Sequence, residues 1–359
     1  MIVSKLFIQN FKKFKKQEFH FNPLFNLIIG ENGSGKTSIL DALDILSSEM
    51  YSSIPCRPIY KEEIRKFPVV LTADFHFDQS ISLSLKKTAT RFTTSIKNPS
   101  EYVPRGEGVR RPIYKREPKN TSIYELENLF RTRWGALPSP HANSILFAIK
   151  SCIPNMKEIW FDSDNLMCKL NKEKQLVRNL SSSYTRVIRL VADIALSILD
   201  INLPFYDPSE VGKLLRETEG LVLIDELDAY LHPNWQFQII SDLRKTFSSI
   251  QFICTSNSPQ MIGELQPLEV MLLSDDKPYS PRRTFGLDVN SILEEILRSR
   301  CRNQEIEKRL KRISKLVSEE KLDIARDKVN DLALILGENN PDVIRTSTLI
   351  TFLTETSDF

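Results

Sequence analysis

Gly30-Glu31-Asn32-Gly33-Ser34-Gly35-Lys36-Thr37 is the stretch that decides the fold. The octet matches the phosphate-loop pattern G-x-x-x-x-G-K-[ST]. Ahead of it runs Phe25-Asn26-Leu27-Ile28-Ile29, apolar and of the length of one buried strand. Behind it, Ser38 to Leu46 carries apolar residues at helical spacing. Strand, glycine turn and helix, in that order, are the setting in which this pattern holds phosphate. A triphosphate packs several negative charges into a small volume. Three glycines let backbone N–H groups close around it without side-chain clash. The helix that begins near Lys36 aims unpaired N–H groups and its positive end at the same place. Lys36 adds a mobile charge for the β- and γ-phosphates, and Thr37 brings a hydroxyl suited to Mg²⁺.

Gly220-Leu221-Val222-Leu223-Ile224-Asp225-Glu226 is the second signal. Apolar residues followed by two acids describe a buried strand that ends in carboxylates. At the C-terminal edge of a sheet, Asp225 is placed for the Mg²⁺ shell and Glu226 to polarise an attacking water. Asp228 and Leu231-His232-Pro233 follow at once. Ser248 to Pro259 then reads as a further strand that ends in the polar loop Thr255-Ser256-Asn257-Ser258-Pro259. Upstream, Ser181 is placed to cap an apolar helix from Val187 to Leu199, whose N-terminus offers a second anion site.

The bulk properties agree. A chain of 359 residues with 41% hydrophobic content holds one large domain or two ordinary ones. The net charge of +3 selects neither a strong nucleic-acid binder nor an acid-loving protein. Five scattered cysteines without a C-x-x-C pair point to a reducing compartment, and four dispersed histidines argue against a histidine-metal hydrolase. There is no signal-peptide pattern and no long uncharged apolar window, so the expectation is a cytoplasmic protein without a membrane partner.

Other stretches leave alternatives open. Asn10 to Lys16 interleaves four lysines with Phe11 and Phe14, either a nucleic-acid contact or a solvated hairpin anchored by its rings. Pro68 to Phe77 reads as a strand. Lys86 to Lys119 holds ten Lys and Arg against Glu101, Glu107 and Glu117, which is either a phosphate-facing surface or a basic loop with no ligand. Residues 121–178 mix helix and short strands, with Trp134 and Trp160 expected in the core. From Asp288 onward the pattern is helical: 288–297, 304–317, 321–336 with Gly337 as C-cap and Pro341 as a stop, then 342–353. Residues 298–316 carry eight basic groups against two Glu, and residues 317–359 four against nine acids. That asymmetry suits either a solvated helical hairpin or a partner-docking element.

Together these pieces resemble the ABC-type ATPase family of SMC, RecF and OLD-like proteins. Lys5 to Phe14 is similar to its opening strand and turn, and Gly30 to Thr37 has its G-x-N-G-S-G-K-[ST] form. Leu180-Ser181-Ser182-Ser183 falls where the signature L-S-x-G lies. Leu223 to Glu226 with Asp228 to Pro233 resembles the Walker B strand and D-loop, Thr255 to Pro259 the T-T-H-S-P switch, and Phe285 to Leu293 a tail element of compact bacterial members. Within the family the likeness is to ATPases of antiphage defence of the Septu and retron-linked kinds. The resemblance implies an α/β P-loop fold, an ABC-type head with a mixed sheet and flanking helices over 1–287, a basic and helical insertion at about 81–178, and a C-terminal helical docking region over 288–359. It implies ATP and Mg²⁺ as cofactors. Gly30, Asn32, Gly33, Ser34, Gly35, Lys36, Thr37 and Ser38 would hold the nucleotide in one head. Ser181 and Ser183 would complete the partner's site, Thr37 and Asp225 would hold the metal, and Glu226, Lys36 and Asn257 would carry hydrolysis. Two heads sandwich two nucleotides in this family, so a homodimer or an assembly of dimers is expected.

Two departures stand out. Ser183 occupies the signature glycine position, where its side chain would crowd the partner's γ-phosphate. Asn257 replaces the switch histidine and carries no charge. Both are expected to slow hydrolysis more than they weaken binding. Nothing after Asn257 matches the nuclease domain of OLD proteins, and Asp275-Asp276 is a lone acidic pair in a turn. A nuclease effector, of HNH type, is therefore expected on a separate chain, with a reverse transcriptase and its noncoding DNA as further partners in a retron setting. The competing readings are a RecF-like DNA repair or loading ATPase that binds duplex ends, and a transporter's nucleotide-binding subunit, which the lysine-rich opening disfavours.

Overall fold

The computed structural model of the chain describes residues 2–50, 58–76, 80–97, 112–117, 122–135, 137, 139–162, 165–202, 211–274 and 277–357. The chain divides into two units, Met1–Ile292 and Leu293–Phe359.

Among the described residues, three sheets build the first unit. The opening residues form β1 (Ile2–Phe11) and β2 (Phe14–His20), and the apolar run before the glycine loop is β3 (Phe25–Gly30). α1 (Lys36–Met50) follows the loop. Then come β4 (Val69–His76), β5 (Ser80–Lys87), β6 (Phe92–Lys97) and β7 (Ile113–Arg116). Helices α2 (Ile123–Leu129) and α3 (Ser139–Cys152) lead to the meander β8 (Met156–Asp162), β9 (Asn165–Leu170) and β10 (Glu173–Leu176). Helices α4 (Ser182–Asn202) and α5 (Val211–Glu217) precede β11 (Gly220–Ile224). The unit closes with α6 (Pro233–Thr246), β12 (Ile250–Ser256), α7 (Pro259–Ile262), β13 (Val270–Ser274), β14 (Lys277–Tyr279) and the short turn α8 (Val289–Ser291).

The core sheet has the order β14-β13-β3-β12-β11-β7. All its neighbours run parallel except β13 and β14. β11 and β12 are buried along their whole length, as parallel strands covered on both faces must be. Register sets Ile224 beside Cys254 and Ser256 beside Ile29, so β3, β11 and β12 end at one edge. The antiparallel sheet β2-β1-β4-β5-β6 lies over α1. One apolar cluster runs from Leu6, Phe19, Phe75 and Leu83 of that sheet through Ile39, Leu43 and Leu46 of α1 to Leu221, Leu223 and Ile253 of the core sheet. On the other face, Trp235 of α6 donates its indole N–H to the Cys152 carbonyl of α3 at 3.2 Å.

Residues 80–87 and 92–97 are thus strands of the antiparallel sheet, and 113–116 is an edge strand of the core sheet. Trp134 is buried as expected, whereas Trp160 is half-exposed on β8 with Lys174 Nζ 5.8 Å from its ring centroid.

The second unit holds α9 (Gln304–Ser318), α10 (Leu322–Leu336) and α11 (Pro341–Ser357) around Ile313, Ala325, Val329, Leu332, Val343 and Ile350. Gly337 caps α10 at φ +88°. Pro341 starts α11 instead of ending anything: its missing N–H costs nothing in a first turn. The segment expected as one helix over 288–297 is α8, capped by Asp288, followed by a π-type stretch over Ile292–Ile296. Among the described residues, no helix is long and apolar enough to cross a membrane.

Candidate nucleotide-binding site

The loop between β3 and α1 is held from two sides. Gly33 and Gly35 have φ of +79° and +102°, the region that favours glycine. A Cβ on Gly35 would lie 2.6 Å from the ring of Phe14, and one on Gly30 would lie 2.9 Å from the Leu273 carbonyl. The rings of the lysine-rich hairpin anchor it to the head. Phe11 and Phe14 are buried, and Lys12 pairs with Asp41 and with Glu63, the latter at 3.2 Å.

Lys36 folds back over its own loop and donates to the carbonyls of Gly30 (2.7 Å) and Glu31 (3.1 Å). Burial lowers its pKa, and the charges of Glu226, Asp225 and Asp228 oppose that shift. Ser34 Oγ is buried and has no hydrogen-bond partner in the protein, an orphaned polar atom inside the loop. Asn32 is exposed at the loop's crest, and Ser38 is buried in the first turn of α1.

The acid pair meets this loop across 188 residues of chain. Thr37 Oγ1 donates to Asp225 Oδ1 at 3.2 Å. Thr255 Oγ1, at the end of β12, donates to the same oxygen at 2.7 Å and accepts the Glu226 N–H at 2.7 Å. Glu226 itself is exposed and sits at φ +53°. Asn257 is exposed beyond β12, with its N–H 3.3 Å from Asp228 Oδ1.

Sequence reasoning missed Arg116. It reaches from β7 to Asp225 Oδ2 (3.7 Å) and Asp41 Oδ1 (3.4 Å), and its neighbour Lys115 binds Asp193 at 3.0 Å. These two cations of the basic stretch therefore face acids of the first unit, Asp41 buried and Asp193 and Asp225 half-buried. Arg105, Arg110, Arg111 and Lys119, like Asp275-Asp276, lie outside the described residues. The sequence offered one signal for Arg116, its place at the end of a short apolar-led run, which four residues are too few to identify.

Ser181 and Ser183 stand elsewhere, at the start of α4. The Ser181 carbonyl accepts the Thr185 N–H at 3.2 Å, which fits a residue just ahead of a helix. Ser183 Oγ donates to the carbonyl of Tyr230, in the segment that follows the acid pair.

A loop of positive-φ glycines, a buried lysine, a helix N-terminus and an unpartnered hydroxyl suit phosphate oxygens. A threonine hydroxyl and a carboxylate on one point suit Mg²⁺, which takes few protein ligands and shares the rest with waters and phosphate. Among the described residues no group of three or more His, Cys, Asp and Glu could hold a metal by itself.

The fold is that of SMC head domains, and the site has the parts of a P-loop nucleotide pocket. The AAA domain family model matches residues 5–132. The Septu protein PtuA of Bacillus mycoides is 27% identical over 305 residues, spanning 77% of this chain and 41% of that protein. The Retron Ec83 probable ATPase of Escherichia coli is 35% identical over 133 residues, 37% of this chain and 23% of that protein. The chain thus spans less than half the length of these two relatives. Among solved structures, an SMC head bound to the C-terminal winged-helix domain of ScpA superposes with a TM-score of 0.53 at 14% identity, over 78% of this chain and 98% of that one.

Proposed function

We propose that the chain binds ATP with Mg²⁺ and hydrolyses it slowly, as the ATP-gated subunit of an antiphage defence complex. The observation that carries this is the convergence of Thr37, Asp225 and Thr255 on one point beside a loop whose Ser34 hydroxyl is buried and unpaired. Main-chain N–H groups of Gly33 to Ser38 would cradle the phosphates, with Asn32 at the rim. Lys36 would leave its two carbonyls for phosphate oxygens. Thr37 and Asp225 would hold the metal, which supplies charge neutralisation at the β- and γ-phosphates when bound. Glu226 would orient the attacking water as general base, with Asn257 beside it as a neutral hydrogen-bonding group.

Two heads would close on two nucleotides, with Ser181 and Ser183 at the start of α4 facing the partner copy's phosphate. Ser183 spends its hydroxyl proton on Tyr230 within its own chain, and Asn257 cannot carry charge. Both features favour a long-lived nucleotide-bound state over rapid turnover. Occupancy would then set whether a separate HNH-type nuclease, with a retron's reverse transcriptase and noncoding DNA where present, is held or released. The relatives' names support this setting.

Calorimetry with Mg·ATP tests the first step: wild type binds and Lys36→Ala does not. Equal binding by both would refute the site. Size exclusion of Glu226→Gln with ATP should show a dimer or a multiple of it. Expression with genomic neighbours should retain a nuclease. A RecF-like role on DNA is the second reading, favoured by exposed Lys86 on β5 and Arg91 in the turn before β6. ATP hydrolysis stimulated by DNA and falling steeply with salt would select it.

A further inference from the structure

Arg186, in the second turn of α4, spends all five of its N–H donors, two on Glu117 at the end of β7 and three on the segment that carries the acid pair. Nε and Nη2 form a two-point pair with Glu117 at 3.0 and 2.9 Å. Nη2 also reaches the Asp225 carbonyl at 2.9 Å. Nη1 reaches the carbonyls of Glu226 (2.7 Å) and Ala229 (3.0 Å). A guanidinium has five donors in a fixed planar fork, so the count is complete. Glu117 is itself buried and stands at the end of β7, beside Arg116.

The backbone that this fork holds is in an uncommon conformation. Glu226 and Tyr230 lie at φ +53° and +65°, a region costly for residues other than glycine. Such a conformation persists only where surrounding contacts fix it. The carbonyls of Asp225, Glu226 and Ala229 are held by Arg186, and that of Tyr230 by Ser183 of the same helix. From the front, Thr255 holds the Glu226 N–H. The α4 start thus touches four of six consecutive carbonyls.

We infer that Arg186 is the positioning residue for Glu226: its fork fixes the left-handed turn that aims the Glu226 carboxylate, and it links that aim to the position of α4. The inference rests on the proposed ATPase reading, since it supposes that Glu226 acts on a water. Its consequence is specific. Any shift of the α4 start, such as the approach of a second copy's nucleotide to Ser181 and Ser183, moves the base of the same chain. Arg186→Lys keeps the charge but offers three donors from a single nitrogen, so it cannot satisfy Glu117 and three carbonyls together.

The test uses the full chain in four forms: wild type, Arg186→Lys, Glu226→Gln and the double variant. Without nucleotide, hydrogen exchange at the amides of Leu227, Ala229 and Leu231 should speed up by about tenfold in Arg186→Lys. Mg·ATP affinity should stay within about threefold, while the single-turnover rate falls by about a hundredfold, the usual effect of a misplaced reacting group. In the Glu226→Gln background the same change should cost less than about threefold, because residues that act as a unit are not additive. A rate close to wild type, or an equal loss in both backgrounds, overturns the inference. If Arg186→Lys does not fold, Arg186→Gln with Glu117→Gln removes both members of the buried pair and is read the same way. Failure of wild type itself to bind Mg·ATP would instead sink the ATPase reading.

Discussion

Thr255→Val removes one oxygen and keeps the shape, which makes it a clean test of how the site is held. Thr255 is fully buried. Its hydroxyl donates to Asp225 Oδ1 at 2.7 Å and accepts the Glu226 N–H at 2.7 Å. The first is a hydrogen bond to a charged group, worth about 1.5–3 kcal/mol, and the second about 1 kcal/mol. Thr37 still reaches the same carboxylate oxygen, at 3.2 Å, and Arg116 its other oxygen, at 3.7 Å, so part of the loss is recovered. The expected net cost is about 2–3 kcal/mol, which lowers the thermal midpoint of a unit this size by about 5 °C. A second effect follows from geometry. Without its partner hydroxyl, Asp225 loses one of the constraints that set its angle beside Thr37, so metal-dependent nucleotide binding should weaken by about tenfold. Thermal unfolding without ligand and calorimetry with Mg·ATP, each on wild type, Thr255→Val and Thr255→Ser, separate the two. Serine keeps the hydroxyl and should restore most of both. The reasoning is refuted if valine melts within about 1 °C of wild type, or if serine behaves no better than valine.

Gly35→Ala should abolish nucleotide binding and cost about 2–4 kcal/mol, because φ of +102° strains any side chain and the added carbon meets the buried Phe14 ring at 2.6 Å; calorimetry and urea unfolding check it, and Phe14→Leu in the same chain should recover part of the stability. Lys36→Met should be more stable than wild type at pH 7 while binding no nucleotide. The sign follows from the lowered Lys36 pKa. Folding disfavours the charged amine, so the cost is full below the depressed native value and fades as pH rises toward the ordinary lysine range, where the unfolded chain also loses the proton. Urea midpoints at pH 7 and pH 10 should show the gap between methionine and lysine narrowing as pH rises.

Much of the site was legible because its parts are contiguous in the chain. The glycine octet carries its own strand and helix, and Asp225-Glu226 ends an apolar run that reads as a buried strand once paired with the octet. β12 was readable for the same reason. What the sequence hid are groups whose meaning depends on distant partners. Arg116 reads as one more cation in a basic stretch until β7 pairs with β11 and sets it against Asp41 and Asp225. Arg186 follows the signature stretch in plain view, yet nothing local says that it holds three carbonyls forty residues on. Residues 80–97 read as part of an insertion, since alternation like that of Ser80 to Leu85 gives no clue to which sheet will take the strand. Trp160 shows the limit of hydrophobicity as a guide: an indole can lie half-exposed when a lysine covers its face.

The antiparallel sheet is more than a cover for α1, and one buried amide shows why. Gln251 lies near the start of β12 with no exposed surface. Its side-chain oxygen accepts the Val3 N–H at 2.7 Å, and its nitrogen donates to the carbonyls of Val3 (2.8 Å) and Asn22 (2.7 Å). Both amide protons and the oxygen are used, so the burial carries no unpaired polar group. An apolar residue there would pack as well but would leave β1 without a fixed register against the core sheet. β1 and β2 form the hairpin that delivers Phe14 beneath Gly35. Four residues after Gln251, next to the end of β12, Thr255 carries the hydroxyl that holds Asp225 and Glu226. A single strand therefore sets the floor of the glycine loop through one side chain and the aim of the acid pair through another. This coupling explains why polar residues occupy a fully buried strand at Gln251 and Thr255, where hydrophobicity alone would place valine or isoleucine.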